Sequence, residues 1–220
     1  MSSMWNTVDS IIHLINCRQH GPGGIVKAVL LVDNHELTLV DTGFSDADGE
    51  IILKYVRSIG RKPGDLKHCI ITHKHADHIG GLKRLRREAD FKVMAHEAEI
   101  TAIDQAMGMH LCDPLRDGQI LPICGGAHVI HMPGHSRGAI SLFLPKQRTL
   151  LAGDAIFSAG QWLIVAPPYL CEDPNQAKES ARRLLNMNLD IQGVVVGHGE
   201  DLREKGNERL SLMLLEKRAI

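Results

Sequence analysis

Residues 72–81 read THKHADHIGG, so three histidines and an aspartate fall within six positions and two glycines follow. The apolar run LKHCII precedes them. In an extended segment alternate side chains point the same way, so His73 and His75 can face one point. If the chain then turns into a helix, Asp77 and His78 can face a neighbouring point. Imidazole and carboxylate donors at that spacing suit zinc, with manganese and iron also open. A chain with this segment must fold so that a strand end delivers four ligand-type side chains to one place.

Four local donors do not complete two metal spheres, and three more candidates occupy similar settings. His135 in HMPGHS, Asp154 in LLAGDAIF and His198 in VVVGHG each follow an apolar run and sit beside small residues. Glycine there lets backbone and metal approach closely. The expected arrangement is His73, His75 and His135 on one metal and Asp77, His78 and His198 on the other, with Asp154 bridging. The other histidines, among the 13 in the chain, lack this context. His13, His20, His35, His68, His96, His110, His128 and His131 read as surface or core residues. His20 and His110 lie in expected loops, and His131 in an expected strand.

The rest of the chain reads as alternating strands and helices. IVKAVLLVDNHELTLV is a hairpin turning at Asp33-Asn34. DADGEIILKYVRSIG is a helix with Ile51, Ile52, Tyr55, Val56 and Ile59 on one face and Gly60 at its end. IGGLKRLRREA, EAEITAIDQAMG, DPNQAKESARRLLNMN and NERLSLMLLEKRAI read as further helices. FKVMAH, AHVIHM, AISLFL, RTLLAG and GVVVG read as strands, and residues 109–126 as loop-rich. The pattern predicts two sheets packed together with helices outside, a four-layer αββα sandwich in one domain spanning residues 1–220.

Composition narrows the function classes. Apolar residues make up 44% of 220 and the formal net charge is -1, which gives no electrostatic case for nucleic acid or an anionic membrane. The start of the chain, MSSMWNTVDSIIHLINC, has no cationic stretch of the signal-peptide kind. The five cysteines are scattered and form no CxxC pair, so reduced thiols and a cytoplasmic location are expected. A small-molecule substrate is expected, and a homo-oligomer is left open.

LVDTG, THKHADHIGG, HMPGHS, GDAIF and GHG, in that order from about Ile25 to His198, resemble the motifs of the metallo-β-lactamase-fold hydrolases. The likeness is greater to the glyoxalase II-like and lactonase-like branches than to the antibiotic-destroying enzymes. It implies the αββα sandwich and a two-metal hydrolase, with zinc the expected metal. It also implies that Asp41 supports the metal site by accepting a hydrogen bond from the histidine-bearing segment, and that Asp77 orients the nucleophile. The reaction implied is attack on an ester-like carbonyl, thioester or lactone, by a hydroxide bridging the two metals. Alternatives on the same fold are a phosphodiesterase or nuclease, a β-lactamase-type hydrolase, and an iron oxidoreductase of the persulfide dioxygenase kind. Phe157 stands where the related lactonases often carry a tyrosine. Phe157, Trp162 and Tyr169 are expected to line an apolar substrate wall, with residues 156–172 and a GPGG flap at residues 21–24 around it.

Overall fold

The computed structural model describes residues 5–7, 10–18, 24–160 and 162–215. The chain divides into two compact units, Met1–Leu115 and Arg116–Ile220.

The first unit is built on a seven-stranded sheet in sequential order. Strands β1 (Trp5–Thr7), β2 (Ile12–Arg18), β3 (Ile25–Asp33) and β4 (Glu36–Val40) form an antiparallel meander. Strands β5 (Leu66–Ile71), β6 (Lys92–His96) and β7 (Cys112–Leu115) then add in parallel. Parallel neighbours need crossovers, and helices supply them. They are α1 (Asp46–Ser58), the short pair α2 (Ala76–Ile79) and α3 (Leu82–Arg86), and α4 (Glu97–Met107). The expected hairpin is present, with Asn34 taking the left-handed turn conformation at φ 49°. Helix α1 buries Ile52, Leu53, Tyr55 and Val56 in the core formed with β2 to β6. Each such side chain contributes about 1.5–3 kcal/mol by leaving water.

The second unit carries a five-stranded sheet in the order β14-β11-β10-β9-β8. Its strands are β8 (Ile120–Leu121), β9 (Ala127–His131), β10 (Ile140–Leu144), β11 (Thr149–Leu151) and β14 (Gly193–Val195). All pair antiparallel except β11 with β14. A separate hairpin joins β12 (Ile156–Ala159) to β13 (Trp162–Val165). Helices α5 (Pro174–Asn186) and α6 (Gly206–Leu215) complete the unit, and Leu184 and Leu210 enter its core beside Leu150, Val194 and Val196. Asp173 caps α5 by accepting from the amides of Asn175 and Gln176, with Pro174 at the first helical position.

Several expectations are corrected. Residues 109–126 hold two short strands, β7 and β8, because edge pairing organises a segment with no clear periodicity. IGGLKRLRREA is not one helix: Gly80 and Gly81 separate α2 from α3. The strand β2 and the hairpin β12-β13 were not expected from local pattern. Of the flap, residues 21–23 lie outside the described residues, as do His20 and residues 216–220; Gly24 is left-handed at φ 75°.

Gly80 and Gly81 explain how the histidine segment is held. A Cβ on Gly80 would lie 1.9 Å from the carbonyl oxygen of Phe44, and one on Gly81 2.2 Å from that of Thr42. The amide of Gly80 donates to Gly43 O at 2.8 Å, and that of Thr42 to His78 O at 2.8 Å. The LVDTG turn and the turn after His78 are therefore stitched backbone to backbone with no room for a side chain. Gly80→Ala is expected to lower unfolding stability by about 3 kcal/mol or more, at the upper end of overpacking costs. Urea denaturation checks this, and an unchanged midpoint would refute it.

Candidate functional site

Strand β5 ends at Ile71, and Thr72, His73, Lys74 and His75 run on from it into α2. Asp41, at the end of β4 next to β5, is 3% exposed and sits in the left-handed region at φ 61°. A non-glycine residue there is strained unless the surroundings over-determine it, and a carboxylate with several donors does so. Its Oδ1 accepts the Thr72 amide at 2.8 Å. Its Oδ2 accepts the Thr72 hydroxyl at 2.7 Å and faces His78 Nδ1, also at 2.7 Å.

These contacts set the proton positions. A carboxylate only accepts, so His78 carries its hydrogen on Nδ1 and directs the Nε2 lone pair away from Asp41. The Thr72 hydroxyl gives its hydrogen to Asp41 and can only accept from His73 Nδ1, 3.1 Å away. His73 is thereby also protonated at Nδ1, and Nε2 carries its ring lone pair. One aspartate thus orients two fully buried histidines, the outer-shell arrangement that fixes metal-ligating imidazoles.

His73 Nε2 lies 3.0 Å from His75 Nδ1, with the two rings edge to face at 4.6 Å. Ligand atoms of a tetrahedral zinc bonded at 2.0–2.1 Å are about 3.3 Å apart, so this pair fits one ion. His78 Nε2 lies 3.8 Å from Asp77 Oδ2, and Asp77 keeps partial access to solvent.

In the second unit, three strand ends carry the other candidates. His135 lies in the turn after β9. Gly134, at φ 138°, meets α5 so closely that a Cβ would fall 2.3 Å from Ala177 backbone. Ser180 Oγ donates to Pro133 O, and the amides of Asp173 and Glu172 donate to Gly134 O and His135 O. His131 Nε2 donates to Arg137 O at 2.8 Å and closes the same turn. Its role is to hold this loop, beyond the simple strand packing expected.

Asp154 follows β11 and His198 follows β14, its parallel neighbour. Gly197 makes room for the carboxylate: a Cβ there would sit 2.1 Å from Asp154 Oδ1. Asp154 Oδ2 lies 3.6 Å from His135 Nε2 and 3.4 Å from His198 Nε2. Both separations are long for a hydrogen bond and match ligands of a shared cation. The Phe157 ring stacks on His198 at 5.7 Å with planes 7° apart, and meets His135 edge-on at 6.1 Å. It steadies both imidazoles.

Each of His73, His75, Asp77, His78, His135, Asp154 and His198 offers a ring nitrogen or carboxylate oxygen suited to a metal. The donor chemistry in each unit therefore fits divalent ions. The cysteines are of another character. All five are free thiols; burial, with Asp104 nearby, pushes Cys112 up to about 12, and burial also raises Cys17, Cys69 and Cys171. Thiols so shifted stay protonated near neutrality and are poor nucleophiles or ligands.

Other histidines have structural partners. His13 pairs with the Tyr55 hydroxyl, His96 caps α4, His110 pairs with Asp104, and His128 meets Phe143 edge-on. Trp162 is 38% exposed with the Arg209 guanidinium over its ring, and Tyr169 is 82% exposed on the turn 168–170. Among the described residues, buried acids that escaped the sequence reading include Asp48 and Glu99. Asp48 accepts the amides of Phe44 and Ser45, and Glu99 accepts the amide of Lys74 at 2.8 Å. The available signal for Glu99 was its place on the buried stripe of α4 with Ile103 and Met107, at four-residue spacing.

Comparison with known proteins agrees. The family model described as the metallo-beta-lactamase superfamily matches residues 21–198. A probable metallo-hydrolase, YflN of Bacillus subtilis, is 28% identical over 84% of this chain and 83% of its own length. A hydroxyacylglutathione hydrolase of Synechococcus is 32% identical over 59% of this chain, which spans 53% of that relative. Among solved structures, a metallo-beta-lactamase from Pontibacter korlensis superposes with a TM-score of 0.79 over 97% of this chain and 99% of its own, at 19% identity. That likeness speaks for the fold alone.

The proton assignment is testable without metal. NMR of labelled imidazoles in the metal-free protein should show His78 protonated at Nδ1. Asp41→Asn, whose amide nitrogen can only donate, should move that proton to Nε2 and lower stability by about 1–3 kcal/mol. An unmoved proton would refute the role given to Asp41.

Proposed function

Because the chain belongs to the metallo-beta-lactamase superfamily and has its fold, we propose that it is a two-metal hydrolase acting on an ester-like carbonyl, a thioester or a lactone. The observation that carries this reading is the placement of the Asp154 carboxylate oxygen at 3.4 and 3.6 Å from two imidazole Nε2 atoms. An acid so placed suits a bridge between an ion held by His135 and an ion held by His198.

On this reading residues 1–220 form one hydrolase domain of the αββα fold. His73, His75 and His135 would hold one ion and Asp77, His78 and His198 the other, with Asp154 shared. When bound, divalent metals of this kind, zinc being our choice, lower the pKa of water towards neutrality and polarise a carbonyl.

The chain's own groups supply the rest. Asp41 keeps His73 and His78 in the tautomer that exposes Nε2. Asp77, the most accessible acid of the set, orients the attacking oxygen and takes its proton. Phe157 holds His135 and His198 and contributes an apolar surface, as do Trp162 and Tyr169, so an apolar acyl group suits the wall. Phenylalanine has no hydroxyl to donate to a carbonyl, which places more of that task on the metal side. A thioester is supported by the relatives named hydroxyacylglutathione hydrolase, although this chain spans only about half of their length.

We also assign a small-molecule substrate in the cytoplasm rather than nucleic acid or a membrane. The near-neutral charge and the five free thiols support this. No helix among the described residues is long and apolar enough to cross a membrane.

Metal analysis with a panel of a thioester, lactones, a phosphodiester and a β-lactam tests the proposal. The expected result is two zinc atoms per chain and turnover of a thioester or lactone, with His73→Ala and Asp154→Ala losing metal and activity together. Iron at one atom per chain, turnover of the phosphodiester alone, or full activity in a metal-free variant would contradict it.

A further inference from the structure

Glu99 is fully buried in α4, yet nothing in the assigned chemistry uses it. Its Oε2 accepts the backbone N–H of Lys74 at 2.8 Å, and Lys74 is the residue between His73 and His75. Burying a carboxylate is costly unless it is charge-compensated or hydrogen-bonded. Here Glu99 also occupies the first turn of α4, after Glu97 and Ala98, where the helix dipole favours a negative charge. An apolar residue would fill the same core position at lower desolvation cost. The position therefore calls for an acceptor aimed at the Lys74 amide.

We propose that Glu99 is a positioning residue for the metal-ligating segment, working through the Lys74 N–H; this rests on His73 and His75 holding metal. Asp41 grips the amide of Thr72 on one side of His73, and Glu99 grips that of Lys74 on the other. The two anchors fix the Ile71–Thr72 and His73–Lys74 peptide groups, one before and one after His73, and define where the chain leaves for His75. Their ring nitrogens, Nε2 and Nδ1, then meet at 3.0 Å. Without Glu99, the Lys74 amide would lose this acceptor and the His75 ring its register against His73. The effect is on ligand geometry, and Glu99 touches neither substrate nor metal.

The test compares wild type, Glu99→Ala and Glu99→Gln, loaded with cobalt(II) as a spectroscopic stand-in for zinc. Affinity is read by competition with a chromophoric chelator, and geometry by the visible absorption of cobalt. Glu99→Ala should bind roughly 10–100-fold more weakly, as expected for an outer-shell partner, with an altered cobalt spectrum. Glu99→Gln retains an oxygen for the Lys74 amide and should recover most of both. A folded Glu99→Ala with wild-type affinity and spectrum overturns the proposal. If Glu99→Ala does not fold, hydrogen exchange at the Lys74 amide in the metal-loaded wild type decides: protection supports the anchor and rapid exchange overturns it. A wild type that takes up no metal sinks the two-metal reading and this proposal together. A wild type that does, matched by Glu99→Ala, sinks this proposal alone.

Discussion

The carboxylate of Asp41 is the interaction on which the site in the first unit depends. It is buried, held in a left-handed backbone conformation, and gathers the Thr72 amide, the Thr72 hydroxyl and His78 Nδ1. Those contacts reach the first turn after β5 and the helix α2 beyond it, so one acid fixes where the strand ends and how the helix starts. The same acid sets the ring protons of His73 and His78. Fold and chemistry are coupled there: the strain at Asp41 is tolerated because its donors offset it, and the donors are positioned because Asp41 stays where it is.

The second unit reaches a comparable result by sterics and packing. Gly134 and Gly197 remove side chains where α5 and the Asp154 carboxylate must approach. The start of α5 and the His131 ring hold the His135 turn by its carbonyls. Phe157, from a hairpin outside the main sheet, packs on His135 and His198 together. The histidines sit on turns after strands, and partners from neighbouring elements help to lock each turn.

Much of this was legible in the chain. The spacing of His73, His75, Asp77 and His78 carries its own geometry, because strand and helix periods dictate which side chains can meet. Apolar runs ending in glycine and a ligand-type residue marked His135, Asp154 and His198. The break between α2 and α3 at Gly80 and Gly81 was not visible. What escaped were residues whose meaning comes from distant partners. Glu99 reads as an ordinary helix acid until its contact with Lys74, 25 positions away, is seen. His131 reads as strand packing until its bond to Arg137 closes the loop. The hairpin β12-β13 follows no alternation that separates it from a loop, and β2 is recognisable only through its seven-residue pairing with β3. Local pattern records what a residue can do, and long-range pairing decides which of those options is used.

The central proposal is that seven side chains hold two metal ions, with Asp154 between them. The most direct measurement is an anomalous difference map from crystals of the zinc-loaded protein, collected on either side of the zinc absorption edge. The account predicts two peaks, one bonded to His73, His75 and His135 and the other to Asp77, His78 and His198, with Asp154 reaching both. A single peak, or two peaks that leave Asp154 uncoordinated, would contradict it.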